Sequence, residues 1–300
     1  MSPTSAKSPK KAAQAGAPLF NDQSMLRVVH REQVMILAGG RALLLMAAHP
    51  VVFEGFFAAT AAKGDPFARL ERTGIVLETI SYRSRSDAER ATAFVRRMHR
   101  SASGSLPAKA GRFPAGTQYS AADPELLFWV WGSLIDSCLL VYEKYVRELS
   151  ADERQGYWDD QRQIGKMFGI PLKVMPKRVE GLRDYVNGVV ASGDLFVTPG
   201  ALDTAKNVIF SPPIPPVLFG LKAAVNQTAV GLLPPEVRRL YGFSWDPLRE
   251  VALRAGQEYV RRAVVPLAPS SVRFTGMRQG GSLRIPPSGG CSPRRRPRMI

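Results

Sequence analysis

The 300-residue sequence predicts an all-α fold, one multi-helix domain between two tails. Three observations carry that reading. Proline, serine or aspartate start signals stand ahead of successive apolar runs, as helix N-termini require. No stretch sustains the period-two alternation of a half-buried strand. No repeat of fixed period divides the chain into a solenoid. The short "SLRIPP" near the C-terminus is too rich in proline to count as a strand.

The elements follow in order. Residues 42–62, "ALLLMAAHPVVFEGFFAATAA", are long enough to cross a bilayer, but His49, Pro50 and Glu54 fall at the middle, where polar groups are costly in lipid. They predict two buried helices or one kinked at proline, and no transmembrane segment. Asp65-Pro66 sets an N-cap and a first-turn proline ahead of "FARLERTGIVLETI". Ser86 and Glu89 have capping-box spacing and open "AERATAFVRRMHR". Asp123-Pro124 repeats the first device ahead of "ELLFWVWGSLIDSCLLVYEKYVREL", a helix of about seven turns. Ser150 and Glu153 form a second box, and Gly169 closes the helix it opens. Later helical runs begin near Val179, Leu202, Pro216, Pro235 and Pro247.

At 45% hydrophobic and 22% charged, the composition is that of a globular protein with a sizeable core. The net charge of +16 suggests a nucleic-acid binder until it is divided along the chain. Lys7, Lys10 and Lys11 lie in the first twenty residues; Arg273, Arg278, Arg284, Arg294, Arg295, Arg296 and Arg298 lie in the last thirty-five, with no acid among them. About +6 is left on the body, interspersed with acids, so no specific nucleic-acid partner is expected. The predicted organisation is a disordered basic tail over 1–20, a helical domain over 21–267 and a disordered Arg/Pro/Gly-rich tail over 268–300. Cys138 sits in an apolar helix and Cys291 in the tail, which argues against a disulfide, and no zinc spacing occurs. The N-terminus lacks the apolar core of a signal peptide, and a cytoplasmic location is expected.

Read from the residues alone, the chemistry stays open. Ala88, Thr92, Val95 and His99 share one helix face, with Arg96, Arg97 and Arg100 off that line. His99 therefore continues a small, apolar, buried side, a position that more often holds a satisfied core histidine than a ligand. Arg69, Arg72 and Thr73 lie within one turn of "DPFARLERTG", where an arginine could hold a carboxylate or pair with Glu71 or Glu78 on a surface helix. Trp129 and Trp131 point to opposite sides of their helix and could line a flat cofactor or fill a core. No nucleophile elbow appears, and "LAGGRALL" lacks the spacing and strand context of a phosphate loop.

Taken in order, "ILAGGRALLLMAAHPVV", "DPFARLERTG", "VRRMHRSASG", "YSAADPELLFWVWGSLIDS", "YEKYVRELSADERQGYWDD", "FGIPLKVMP" and "GLLPPEVRRLYGFSWDPLREVALR" resemble the catalytic domain shared by latex-clearing rubber oxygenases and mycophenolic-acid-B-like proteins. The resemblance spans roughly residues 30–265. It implies an all-α fold enclosing a b-type haem, with His99 as the axial iron ligand, Arg69 and Arg72 near the haem as candidate holders of its propionates, and Thr73 near the iron's open face. Arg72 stands where the rubber oxygenases have a lysine able to coordinate iron; arginine stays protonated and cannot ligate. Trp131 replaces a histidine of many relatives. Glu54 falls in the region of the family's catalytic glutamate and is a candidate catalytic residue with Thr73. The implied activity is a haem-b-dependent oxidoreductase, an oxygenase using dioxygen on an apolar small molecule. Rubber is not the expected substrate, since its cleavage outside the cell needs an export signal. Two alternatives are a non-catalytic haem-binding or sensing protein of the same fold, and a binder of anionic surfaces through the C-terminal arginines.

Overall fold

The computed structural model describes residues 16–58, 66–211 and 219–274. Its first helices are α1 (Met25–His30) and α2 (Ile36–Ala48); a turn at Pro50–Val52 then runs into a π-helical segment, Phe53–Ala58. Helices α3 (Pro66–Tyr82) and α4 (Arg85–Ser101) form an antiparallel pair, followed by a hairpin of β1 (Ser103–Ser105) and β2 (Gln118–Ser120). Then come α5 (Pro124–Tyr145), α6 (Ala151–Phe168), α7 (Glu180–Ala191), α8 (Pro199–Thr204), α9 (Phe219–Gly231), α10 (Pro235–Leu240) and α11 (Pro247–Tyr259). Two short turns, Val265–Leu267 and Ser270–Arg273, close the described chain.

Helix α5 is apolar because it runs through the centre. Leu127, Phe128, Trp129, Trp131, Ile135, Cys138, Val141, Tyr142 and Tyr145 are buried on every side of it, the pattern of a helix surrounded by others. Asp123 starts it by accepting from the Glu125 and Leu126 N–H groups at 2.8 and 3.1 Å, ahead of Pro124 in the first turn. It is long and apolar enough to cross a membrane by length and composition, yet 72% of that window is buried inside the bundle. Helix α2 packs on α5 and α9; α7 covers another side of α5, and α6 carries α1 and α4.

One buried polar junction ties these layers. Asp136 of α5 forms ion pairs with Arg41 of α2 at 2.8 Å and with Arg183 of α7 at 2.6 Å. The same Arg41 donates to the Leu232 carbonyl at 2.8 Å and to Ser137 Oγ at 2.6 Å. Helices α2, α5 and α7 and the chain after α9 thus meet at the Arg41–Asp136 pair.

Most of the expected punctuation is seen. Residues 42–58 break at His49-Pro50, where the His49 ring accepts from the Val52 N–H, so the apolar run is two packed helical pieces. Residues 59–62 of that run, with Asp65, Pro216, "SLRIPP" and Cys291, lie outside the described residues. At α6 both halves of the capping box form, Ser150 with the Glu153 N–H and Glu153 with the Ser150 N–H, and Gly169 ends the helix at a φ of 100°. Ser150→Ala is expected to cost about 1 kcal/mol in denaturant unfolding, while Ser150→Asp stays near the parent.

Three features differ from the expectation. The cap of α4 is Ser84, whose Oγ accepts from the Asp87 N–H at 3.2 Å and donates to the Asp87 carboxylate at 2.6 Å. It prevails over Ser86 because the adjoining Arg85 N–H is held by the Ala17 carbonyl, fixing the chain two residues earlier. The β1–β2 hairpin gave no signal, since "SGS" and "QYS" are too short and polar to alternate. Packing also reaches past 21–267 at both ends: Phe20 is buried, and Arg273 makes a bidentate pair with buried Glu32 at 2.7 and 2.9 Å.

Candidate functional site

The three histidines differ in setting. The His30 ring stacks on Tyr157, with Nε2 at 2.9 Å from the Tyr157 hydroxyl and 3.3 Å from Gln161 Nε2. The Gln161 amide nitrogen only donates, so His30 Nε2 is an acceptor. His49 caps the Pro50–Val52 turn and packs against Phe113. Burial holds both rings neutral, with pKa values lowered to about 4. Each therefore has a structural task.

His99 lies in the last turn of α4, on the expected face: Ala88 and Thr92 are buried, Val95 and His99 half-buried, and Arg97 and Arg100 exposed. Arg96 is half-buried and donates to the Met167 carbonyl, fixing α4 on the end of α6. The His99 Nδ1 atom is shielded from solvent. Burial lowers the His99 pKa and the neighbouring Arg69 guanidinium lowers it further, so the imidazole is neutral at pH 7. The α3–α4 pair thereby sets the Arg69 guanidinium within electrostatic reach of His99.

The other candidates are placed less tightly. Thr73 is exposed, and its hydroxyl donates to the Arg69 carbonyl at 3.1 Å, so it bonds to the same turn. Arg72 is exposed one position before it. Glu54 is half-buried in the π-helical segment, and burial raises its carboxyl pKa. That segment packs against β1, the strand that follows His99. The joint between them is Tyr119, whose ring lies against Gly55 and whose hydroxyl lies against Gly104, so close that a Cβ at either glycine would meet it. Sequence reasoning missed Tyr119; the two glycines, at sites 49 residues apart, were the only local sign of it.

Trp131 belongs to the core: its indole donates to the Gln161 carbonyl at 3.1 Å and its ring tilts onto Phe168. Trp129 is fully buried, and its Nε1 has no partner among the described residues. Two surface cavities, of about 670 and 380 Å³, are lined by none of His99, Arg69, Arg72, Thr73 or Glu54.

Among the described residues no group of three or more His, Cys, Asp or Glu could cage a bare metal ion. A macrocyclic cofactor makes a different demand. It supplies its own equatorial donors and asks the protein for one neutral axial nitrogen and a cation for its carboxylates. His99 and Arg69 fit that demand.

Comparison with known families decides the class. The family model described as "ER-bound oxygenase mpaB/B'/Rubber oxygenase, catalytic domain" matches residues 26–262. The chain belongs to this family. The match begins in α1 and ends just past α11, so it covers every element described above except the closing turns. As a member of the mpaB/rubber oxygenase family, the protein is an oxygenase-type catalytic domain. No curated protein and no solved structure matches it.

Proposed function

We propose that this member of the mpaB/rubber oxygenase family is a haem-b-dependent oxygenase acting on an apolar small molecule, with dioxygen as the oxidant. The observation that carries the proposal is the half-buried His99 at the end of α4, inside the span that the family model matches, with the Arg69 guanidinium of α3 near enough to act on its charge. Haem b, when bound, supplies a redox-active iron for dioxygen chemistry that no amino-acid side chain provides.

Around that group the chain's own residues have separable tasks. His99 would offer a ring nitrogen to hold the iron, and its lowered pKa would keep that lone pair from being lost to a proton. Arg69 would offset the charge of a propionate, the pairing arginine makes best. Thr73, bonded to the Arg69 carbonyl, would steady the turn that carries this cation. Glu54, with a raised pKa, would take up or release a proton at its carboxylate nearer neutral pH than an exposed glutamate. Arg72, whose guanidinium has donors and no acceptor, would serve a propionate as a cation and not the iron as a ligand.

The exposure of Arg72 and Thr73 favours one second reading, a haem-binding or sensing protein without turnover. Haem-loaded protein that consumes no dioxygen with any member of an apolar substrate library would establish it.

The test of the main reading is spectroscopic. Haem-supplied protein is expected to show a Soret band and a positive pyridine-haem assay. His99→Ala should lower haem content by more than about ten-fold, since even the loss of groups that only orient a ligand costs that much. Circular dichroism should stay unchanged, and added imidazole should restore part of the band. A parent protein that never takes up haem, or a His99→Ala variant that retains it fully, overturns the assignment.

A further inference from the structure

The last long helix has an outer face that nothing described in the chain covers. Leu248, Val251, Ala252, Ala255 and Tyr259 follow one another on α11 at spacings of three, one, three and four, which places them on a single stripe. Leu248 is 78% exposed, Val251 62% and Tyr259 67%. The exposure continues beyond the helix with Val264, Leu267 and Val272, Leu267 at 80%. The opposite side, with Leu253 and Gln257, is buried and attaches α11 to the body. A soluble helix normally turns its polar side outward, so this arrangement marks a contact surface.

Arginines flank the stripe. Arg249, Arg254 and Arg262 stand beside it, each with an acid of the same helix or its cap, Asp246, Glu250 and Glu258. Such exposed pairs are worth little and exchange partners readily. The excess of charge lies just downstream. Residues 275–300 carry six arginines and no acidic residue, and they begin directly after Phe274 at the end of the exposed apolar series.

We infer that the outer face of α11 and the turns after it form a docking surface for an anionic lipid bilayer. The aliphatic stripe enters the headgroup boundary, Tyr259 sits at the depth its amphipathic ring prefers, and the arginines meet lipid phosphates and carboxylates. The observations favour this occupant over two others. A second copy packed antiparallel about Ala255 would set Arg249 opposite Arg261 and Arg262, like charge on like charge. A nucleic acid would meet the arginines and leave Leu248, Val251 and Leu267 in water. This surface is independent of the haem reading, because it shares no residue with the His99 site.

Vesicle flotation of the full chain tests it. Binding is expected to vesicles of phosphatidylcholine with phosphatidylserine, to fall sharply with phosphatidylcholine alone, and to weaken as salt rises. The triple variant Leu248→Ser, Val251→Ser, Tyr259→Ser changes only exposed side chains. It should bind the anionic vesicles roughly ten-fold more weakly or less still, with haem content unchanged. A parent chain that ignores anionic vesicles, or a triple variant that binds them as well as the parent, overturns the proposal. So does a parent dimer in analytical ultracentrifugation that the triple variant converts to monomer, which would make the face a subunit interface. Preference of the parent for a duplex DNA oligonucleotide over anionic vesicles in competition also overturns it.

Discussion

Replacing Asp136 with alanine is expected to destabilise the protein by about 3–5 kcal/mol, a large part of the 5–15 kcal/mol that holds a typical domain folded. The Arg41 side chain is buried against Asp136, Arg41 being 3% and Asp136 1% exposed. Burial lowers the Arg41 pKa, and the Asp136 charge works against that, so the aspartate is what keeps a cation acceptable there. Without it the guanidinium retains only the Leu232 carbonyl and Ser137 Oγ as neutral acceptors. Arg183 is half-exposed and returns to solvent when its partner is lost, so Arg183→Ala should cost about 1 kcal/mol or less. The informative control is the double variant Arg41→Met, Asp136→Leu, expected to recover most of the loss because it removes both buried charges. Guanidinium unfolding read by tryptophan fluorescence measures all three. An Asp136→Ala variant within 1 kcal/mol of the parent would show that the junction is not held as described.

The second large effect is acid lability through His30 and His49. Both are held at a pKa of about 4 by burial, and in the unfolded chain both take a proton near 6.5. Between those values the unfolded state binds more protons than the folded one, so stability falls as pH falls. From pH 7 to pH 5 each histidine should remove about 2 kcal/mol, roughly 4 kcal/mol together. The groups facing His49 are Asp194, which raises its pKa, and Arg112, which lowers it; burial outweighs both. Asp160 and Glu54 have raised pKa values and act in the opposite sense, but only nearer the carboxylate range. His49→Asn keeps an acceptor for the Val52 N–H while removing one titrating ring. Its stability should therefore fall about 2 kcal/mol less than the parent's over the same pH interval in urea unfolding series. Equal slopes for parent and variant would exclude His49 as a source.

The candidate site was legible in part for a reason that can be stated residue by residue. His99 lies on the buried face of its helix because the spacing of Ala88, Thr92 and Val95 dictates it, and helical periodicity is local. Its meeting with Arg69 could not be read locally, because it depends on the α3–α4 pair closing back on itself. The same closure shows Thr73 and Arg72 to be exposed. Tyr119 was illegible, because a tyrosine in a polar three-residue strand carries no sign that two distant glycines make room for it.

By itself the sequence determined the all-α class, the caps at Asp123 and Ser150, the αL stop at Gly169 and the order of motifs that the family match bears out. These are properties of neighbours along the chain, where a side chain and the backbone amides it satisfies lie within a few residues. Tertiary structure alone decided that Arg41, Asp136 and Arg183 share one buried junction, that Trp131 turns to Gln161, and that α11 leaves an apolar face outside. Each depends on which helices become neighbours, and that is set by the total apolar area buried across the fold, a quantity no local window contains.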